Sequence, residues 1–175
     1  MQISSLRAAI NSGLVRSNRW RVLVDYPTYA GTTQDSQQAS ILARSTNTPA
    51  STLGVIDVSW GGRILPVPGD RTYEEFDITF IGVNDMNVYN AFVRWSENMN
   101  GSDSNQGLTS LSDVYSDFTL QLMDTNDNIT KSYVLGDGFP SVVGPMSMDA
   151  GEMDGYSTFQ VTIRYVSYSQ PGVTR

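Results

Sequence analysis

Period-two alternation of apolar and polar side chains runs through this chain more persistently than any other pattern, and it limits the fold most. Over residues 157–169 (STFQVTIRYVSYS) Phe159, Val161, Ile163 and Tyr165 point one way, while Thr158, Gln160, Thr162, Arg164, Val166 and Tyr168 point the other. A repeat of two is the geometry of a strand with one face against a core. The same reading applies to RWRVLVDY, where Trp20, Val22, Val24 and Tyr26 oppose Arg19, Arg21, Leu23 and Asp25. It applies again between Gly54 and Leu65, where Val55, Asp57 and Ser59 oppose Ile56, Val58 and Trp60, with Gly61-Gly62 inviting a bulge or turn. FDITFI (76–81) is a further strand. Phe118–Met123 and Ile129–Leu135 flank Asp124–Asn128 as a hairpin does.

Between these runs the punctuation is polar. Residues 27–39, rich in Thr, Gln and Ser with Pro27 and Gly31, read as a loop, followed by a second strand over Ala39–Arg44 that Thr46–Ser51 breaks with Pro49. Residues 100–114 read as a polar connection, Gly136–Gly144 as a turn cluster, Pro145–Asp149 as a short strand and Glu152–Gly155 as another polar turn. One segment has helical period. Val88, Phe92, Trp95 and Met99 fall at spacings of four, three and four between Asn84/Asp85, suited to an N-cap, and Gly101, suited to a C-terminal stop. That stripe is expected to be helix core covering an open side of a sheet. Trp20, Trp60 and Trp95 each sit on an apolar stripe. The expected fold is therefore mainly β, a small sandwich or barrel-like domain with one flanking α-helix.

The 175 residues suit one domain over 1–175. Its expected parts are an N-terminal segment (1–18), first strands (19–82), helix (84–100), loop (101–117), last strands (118–169) and tail (170–175). No apolar run approaches the roughly 18–20 residues of a membrane span, so a soluble chain with no membrane partner is expected. The chain has neither His nor Cys. This removes imidazole bases, thiolate nucleophiles, disulfides and soft-ligand zinc sites, and an enzyme, a cofactor or a metal centre is not expected.

The remaining acidic motifs do not repair that loss. Asp124-Thr-Asn126-Asp-Asn128 begins like a calcium loop, but Ile129 stands where Gly is required and Leu135 where the bidentate Glu belongs. A solvated hairpin tip is the better reading. Glu74, Glu75 and Asp77 form the densest carboxylate set, yet Glu75 and Asp77 fall on the polar side of a strand.

Charge is unevenly placed. The net charge of -7 is made of +4 over residues 1–21, which hold Arg7, Arg16, Arg19 and Arg21 and no acid, -12 over residues 70–155 and +1 over the rest. Such a body offers nucleic acid no broad phosphate-neutralising face. It can instead pair the basic end of one copy with the acidic surface of another.

The run PVPGDRTYEEFDITFIGVNDMNVYNAFVRWSENMNG (66–101) resembles the central signature of the tail tube proteins of large contractile-tailed bacteriophages, through Gly69, Asp70, Arg71, Thr72, Tyr73, Phe92 and Trp95. The opening Arg7-Ala8, Ser12-Gly13, Arg16 and Asn18 agree, as do Gly138-Phe139-Pro140, Gly144 and the closing Thr158-Phe159-Gln160-Val161-Thr162. The resemblance implies a structural virion protein assembled in the host cytoplasm, whose inner strands join a ring-wide β-barrel. Six copies would close a ring, and rings would stack into the conduit for DNA ejection. It also implies sheath, tape measure, baseplate and tail terminator partners, and DNA that passes without specific binding. On this reading Asp57, Asp117 and Asp124 are candidates for the lumen or its rim. Arg7, Arg16, Arg19, Asp70 and Arg71 are candidates for contacts between subunits or rings, as are the loops at 27–52 and 102–117. A tube protein of a phage-derived contractile injection system and a monomeric β-barrel that binds ligands are the alternatives.

Overall fold

The computed structural model describes residues 3–11, 13–151 and 153–171. Ser12 of the opening motif, Glu152 of the expected polar turn and residues 172–175 of the expected tail lie outside the described residues. In chain order the elements are α1 (Ile3–Ala9), β1 (Trp20–Val24), α2 (Thr33–Leu42), β2 (Ala43–Thr46), β3 (Ser51–Trp60), β4 (Arg63–Tyr73), β5 (Phe76–Ile81), α3 (Asn87–Met99), α4 (Leu111–Val114), β6 (Ser116–Met123), β7 (Ile129–Val143), β8 (Thr158–Arg164) and β9 (Ser167–Ser169). Strand accounts for 41% and helix for 20%, so the fold is mainly β, and all pairings are antiparallel.

Seven strands form one open sheet in the order β1-β6-β7-β8-β5-β2, with β9 also on β7. The single chain does not close into a barrel: β1 and β2 are left as edges. β7 organises the sheet by changing partners along its length. Its first part pairs with β6 and, through Val134–Gly136, with β9, while Phe139–Val143 pairs with β8. The change comes at a bulge, where the register against β6 slips between Ser116 and Phe118 and Asp137 takes a φ of 56°. The Asp137 N–H donates to Asp117 Oδ1 at 3.3 Å.

Alternation delivers one face of this sheet to the core. Val22, Val24, Phe76, Ile78, Phe80, Phe118, Leu120, Phe159, Val161 and Ile163 are buried. Above them α3 contributes Val88, Ala91, Phe92 and Trp95, all buried, with Met99 packed at the margin. Trp95 stacks on Phe118 and Phe92, with centroids 5.7 and 6.4 Å away, and its Nε1 donates to the Val114 carbonyl at 2.9 Å. Burying side chains of this size contributes roughly 1.5–3 kcal/mol each, so α3 and the sheet stabilise one another.

The structure corrects several expectations. Residues 27–39 are not all loop, because α2 starts at Thr33. Residues 39–42, expected in a strand, finish that helix, and strand pairing begins at Ala43. The cause is local: Thr32 and Asp35 form a capping box, with the Asp35 N–H donating to Thr32 Oγ1 at 3.3 Å and the Thr32 N–H to Asp35 Oδ2 at 2.8 Å. Four helices are present among the described residues, not one. α4 interrupts the polar connection at 100–114. α3 begins after Met86, which sits at a φ of 53° with no side-chain cap, so Asn84 and Asp85 are not its N-cap. Gly136–Val143 is strand and not turn, and 145–149 is not strand. The long run at 157–169 is broken at Tyr165–Val166 into β8 and β9.

Candidate assembly site

β3 and β4 form a separate two-stranded ribbon that pairs with no other strand. Its turn is Gly61-Gly62, at φ of 58° and 79°. A two-residue hairpin turn of the primed type requires positive φ at both central positions, which glycine supplies without steric cost. Trp60 faces Arg63 across it, and the register runs on through Val58↔Leu65, Ile56↔Val67 and Val55↔Pro68. A bulge follows at Gly54, opposite Gly69 and Asp70. A Cβ on Gly54 would stand 3.1 Å from the Asp70 carbonyl oxygen, and one on Gly69 3.3 Å from the Gly54 backbone. Glycines therefore let the strands approach where the ribbon changes direction.

The ribbon keeps the alternation expected of it but not the burial. Ile56, Val58, Trp60, Leu65 and Val67 share one face, and all are exposed, Trp60 at 85%. Trp60 is therefore not core, contrary to its position on an apolar stripe. The opposite face is mixed, with Asp57 and Ser59 among Val55, Ile64, Pro66 and Pro68. An isolated two-stranded ribbon is marginal in water, and contiguous exposed apolar surface of this kind marks an interaction site.

The root of the ribbon is held firmly. Tyr73 packs against Tyr165 and Tyr168 with centroids 5.8 and 5.7 Å away. The Tyr165 hydroxyl donates to the Ala50 carbonyl at 3.3 Å, and burial, together with the nearby Tyr168, Glu74 and Tyr73, pushes its pKa up to about 12. Arg71 Nη1 donates to Ser51 Oγ at 2.9 Å across the strand pair. Asp70 lies at the bulge, and no Asp70–Arg71 ion pair forms among the described residues.

The other candidate residues are spread over the two ends of the sheet. At one end β1 begins. Arg19 Nη1 donates to Asp127 Oδ1 at 2.7 Å, tying the chain before β1 to the β6–β7 tip. In that tip Asp124 accepts from the Asn128 side chain at 3.2 Å and from the backbone N–H groups of Asn126 and Asn128 at 2.7 and 3.0 Å. These bonds, the Asn128 side chain first, hold its carboxyl below the usual range. At the other end Asp25 and Asp117 border an open groove of about 810 Å³ that includes Leu23, Tyr26 and Thr119. Asp117 and Asp124 thus stand at opposite ends of β6, roughly 20 Å apart by strand rise, and Asp57 is on the ribbon. The structure does not bring the three together. Arg7 lies on α1, whose Ile3 and Leu6 are exposed, and Arg16 lies in the exposed segment before β1.

The sheet face away from the core is polar. Its side chains pair with each other: Arg21 Nε donates to Gln121 Oε1 at 2.6 Å and Thr162 Oγ1 to Asp77 Oδ1 at 2.6 Å. Glu75 accepts from Arg164 Nε at 2.8 Å. The Glu75 and Asp77 carboxylates are therefore engaged structurally. Among the described residues no three acidic side chains gather closely enough to hold a metal ion, and no helix is long and apolar enough to cross a membrane.

A family model described as phage tail tube protein matches residues 15–170. A tail tube protein of Serratia phage KSP90 is 38% identical over 165 residues, covering 93% of each chain. Among solved structures, a chain of the anti-feeding prophage baseplate, 6-fold symmetrised, superposes with a TM-score of 0.69 at 16% identity, covering 93% of this chain and 99% of the other. A chain of the sheath/tube terminator of an extracellular contractile injection system gives 0.66 at 14% identity, covering 91% and 98%. One from the sheath-tube complex of such a system gives 0.55 at 16%, covering 99% and 100%. These structural likenesses establish a shared fold.

Proposed function

The chain belongs to the phage tail tube protein family, and on that premise we propose that its copies close into hexameric rings that stack into the inner tube of a contractile tail. Members of this family are structural virion components and not enzymes. The observation that carries the assembly reading is the ribbon. Its exposed apolar face, from Ile56 to Val67, has no cover within the chain, and neighbouring copies supply it. The open edges β1 and β2 point the same way, since an unpaired edge is satisfied when subunits join their sheets into a barrel.

Rings stack head to tail on this reading. The end of the sheet carrying Arg19, whose charge Asp127 already neutralises within the chain, meets the end carrying Asp25 and Asp117 of the next ring, and a contact between two unlike ends fixes the axial direction. Arg7, Asp70 and Arg71 are assigned to contacts between subunits. The polar face, whose side chains already satisfy one another, is the surface past which DNA slides, with Asp117 at its rim. Asp124 lies at a ring edge, and Asp57 travels with the ribbon and not with the lumen. Sheath, tape measure, baseplate and tail terminator are the partners assigned to the outer surface and the ends of the tube.

Negative-stain microscopy of the purified protein tests this directly. Hollow rods or rings are expected, and a uniform monomer at high concentration overturns the reading. The fold also suits a tube protein of a phage-derived contractile injection system; the phage relative that matches over 93% of both chains supports the phage assignment.

A further inference from the structure

The two edges of the ribbon are chemically different. In a two-residue hairpin the pair flanking the turn, here Trp60↔Arg63, exchanges backbone hydrogen bonds, and the pairs then alternate between bonded and non-bonded. Val58↔Leu65 and Ile56↔Val67 are therefore bonded, and Ser59↔Ile64, Asp57↔Pro66 and Val55↔Pro68 are not. Residues of the non-bonded pairs aim their N–H and C=O groups outward. On β4 two of the three outward donors are missing, because Pro66 and Pro68 have no N–H. On β3 all three are present, at Val55, Asp57 and Ser59. Proline on an outer edge blocks strand addition there. The ribbon can thus accept a further strand along β3 and not along β4.

We propose that this edge is completed by residues 13–17 of a second copy of the chain, added as a third strand beside β3. The proposal rests on the tube reading and names the contact through which the ribbon holds its neighbour. Three observations select that segment. Residues 13–16 form neither helix nor strand, and Leu14 and Val15 are exposed at 72% and 71%, so an apolar stretch stands without a sheet. Its five residues span Ile56 to Trp60 when it runs antiparallel with Arg16 opposite Asp57, which sets Val15 beside Val58 on the apolar face. Its charge is complementary: Arg16 and Asp57 each make no ion pair among the described residues, and Asp57 is the sole charged side chain between Ser51 and Trp60. Main-chain bonds supply the affinity in such strand addition, and the Arg16–Asp57 pair sets the register.

Ser59 and Ile64 face each other across the ribbon, and each turns its N–H outward, so proline at either position leaves the internal ladder intact. Ser59→Pro is expected to raise the critical concentration for assembly roughly tenfold or more, whereas Ile64→Pro is expected to change it less than about twofold. Sedimentation velocity measures both, and circular dichroism confirms that each variant is folded. Arg16→Asp and Asp57→Arg are each expected to weaken assembly, and the two together to restore it. Ser59→Pro assembling like the parent overturns the added strand. Loss of assembly in the double variant as severe as in the singles overturns residues 13–17 as its source. Failure of the parent protein to assemble overturns the tube reading instead, so the two are separable.

Discussion

Trp95 and Trp60 are the same residue placed in two regions built on opposite terms. Trp95 is 0% exposed, stacked between Phe92 and Phe118 with its indole N–H bonded to a carbonyl; Trp60 is 85% exposed at the tip of a ribbon that pairs with no other strand. The seven-stranded sheet and α3 meet their own needs within one chain. The ribbon repeats the same period-two pattern with nothing to bury it against. Alternation therefore states that a face is apolar, and does not state whether the cover comes from within the chain.

Tryptophan truncation breaks the comparison most sharply. Trp95→Ala is expected to destabilise the monomer by about 3–5 kcal/mol in denaturant titration. Trp60→Ala is expected to leave it within about 0.5 kcal/mol while impairing rod formation in the same preparation. Equal loss of stability in both would erase the distinction. Next in size, Asp35→Ala removes half of the capping box of α2 and is expected to cost about 1 kcal/mol, read as a lowered denaturation midpoint. A larger cost would show that α2 supports the sheet edge beyond its own helix.

The charge reversal Arg16→Glu with Arg19→Glu is expected to weaken assembly while changing monomer stability by less than about 1 kcal/mol, since the Arg19–Asp127 pair is exposed. Tubes of unchanged yield would remove the basic end from the interface. The smallest effect is at the root of the ribbon, where Tyr165 titrates at about 12 against an ordinary 10.0. Between those values the unfolded chain releases a proton that the folded chain keeps, so stability falls as pH rises from about 10 towards 12. Tyr165→Phe is expected to flatten that part of a pH–stability profile, and an unchanged slope would assign it elsewhere.

Legibility in the sequence follows the same divide. β1, β5, the β6–β7 hairpin and α3 could be read because each buries one face against the core, and burial is what imposes a period. α2 was hidden because its sequence, Thr-Gln-Asp-Ser-Gln-Gln-Ala-Ser-Ile-Leu, has no apolar stripe and buries little beyond Asp35 and Ala39; Thr32 and Asp35, spaced as a capping box, were the available signal. The second half of β7 was hidden because Gly136, Gly138 and Pro140 look like a turn, and here the glycines instead serve a bulge. In the candidate site, Arg16 and Asp57 were visible as charges. The ribbon edges were visible as Pro66 and Pro68, but their meaning needed the register to Asp57 and Val55. The spread of Asp57, Asp117 and Asp124 followed from topology, which no local spacing encodes.

The pairing of β1 with β6, Trp20 opposite Leu122, has a kinetic side. β1 leaves the ribosome roughly a hundred residues before its partner exists, and loops of that length close slowly. The ribbon, by contrast, joins residues close in sequence and forms within microseconds once its turn has emerged. Each nascent chain therefore exposes the apolar face from Ile56 to Val67 before the sheet that carries the ribbon can close, and the pace of translation sets how long that face stands alone.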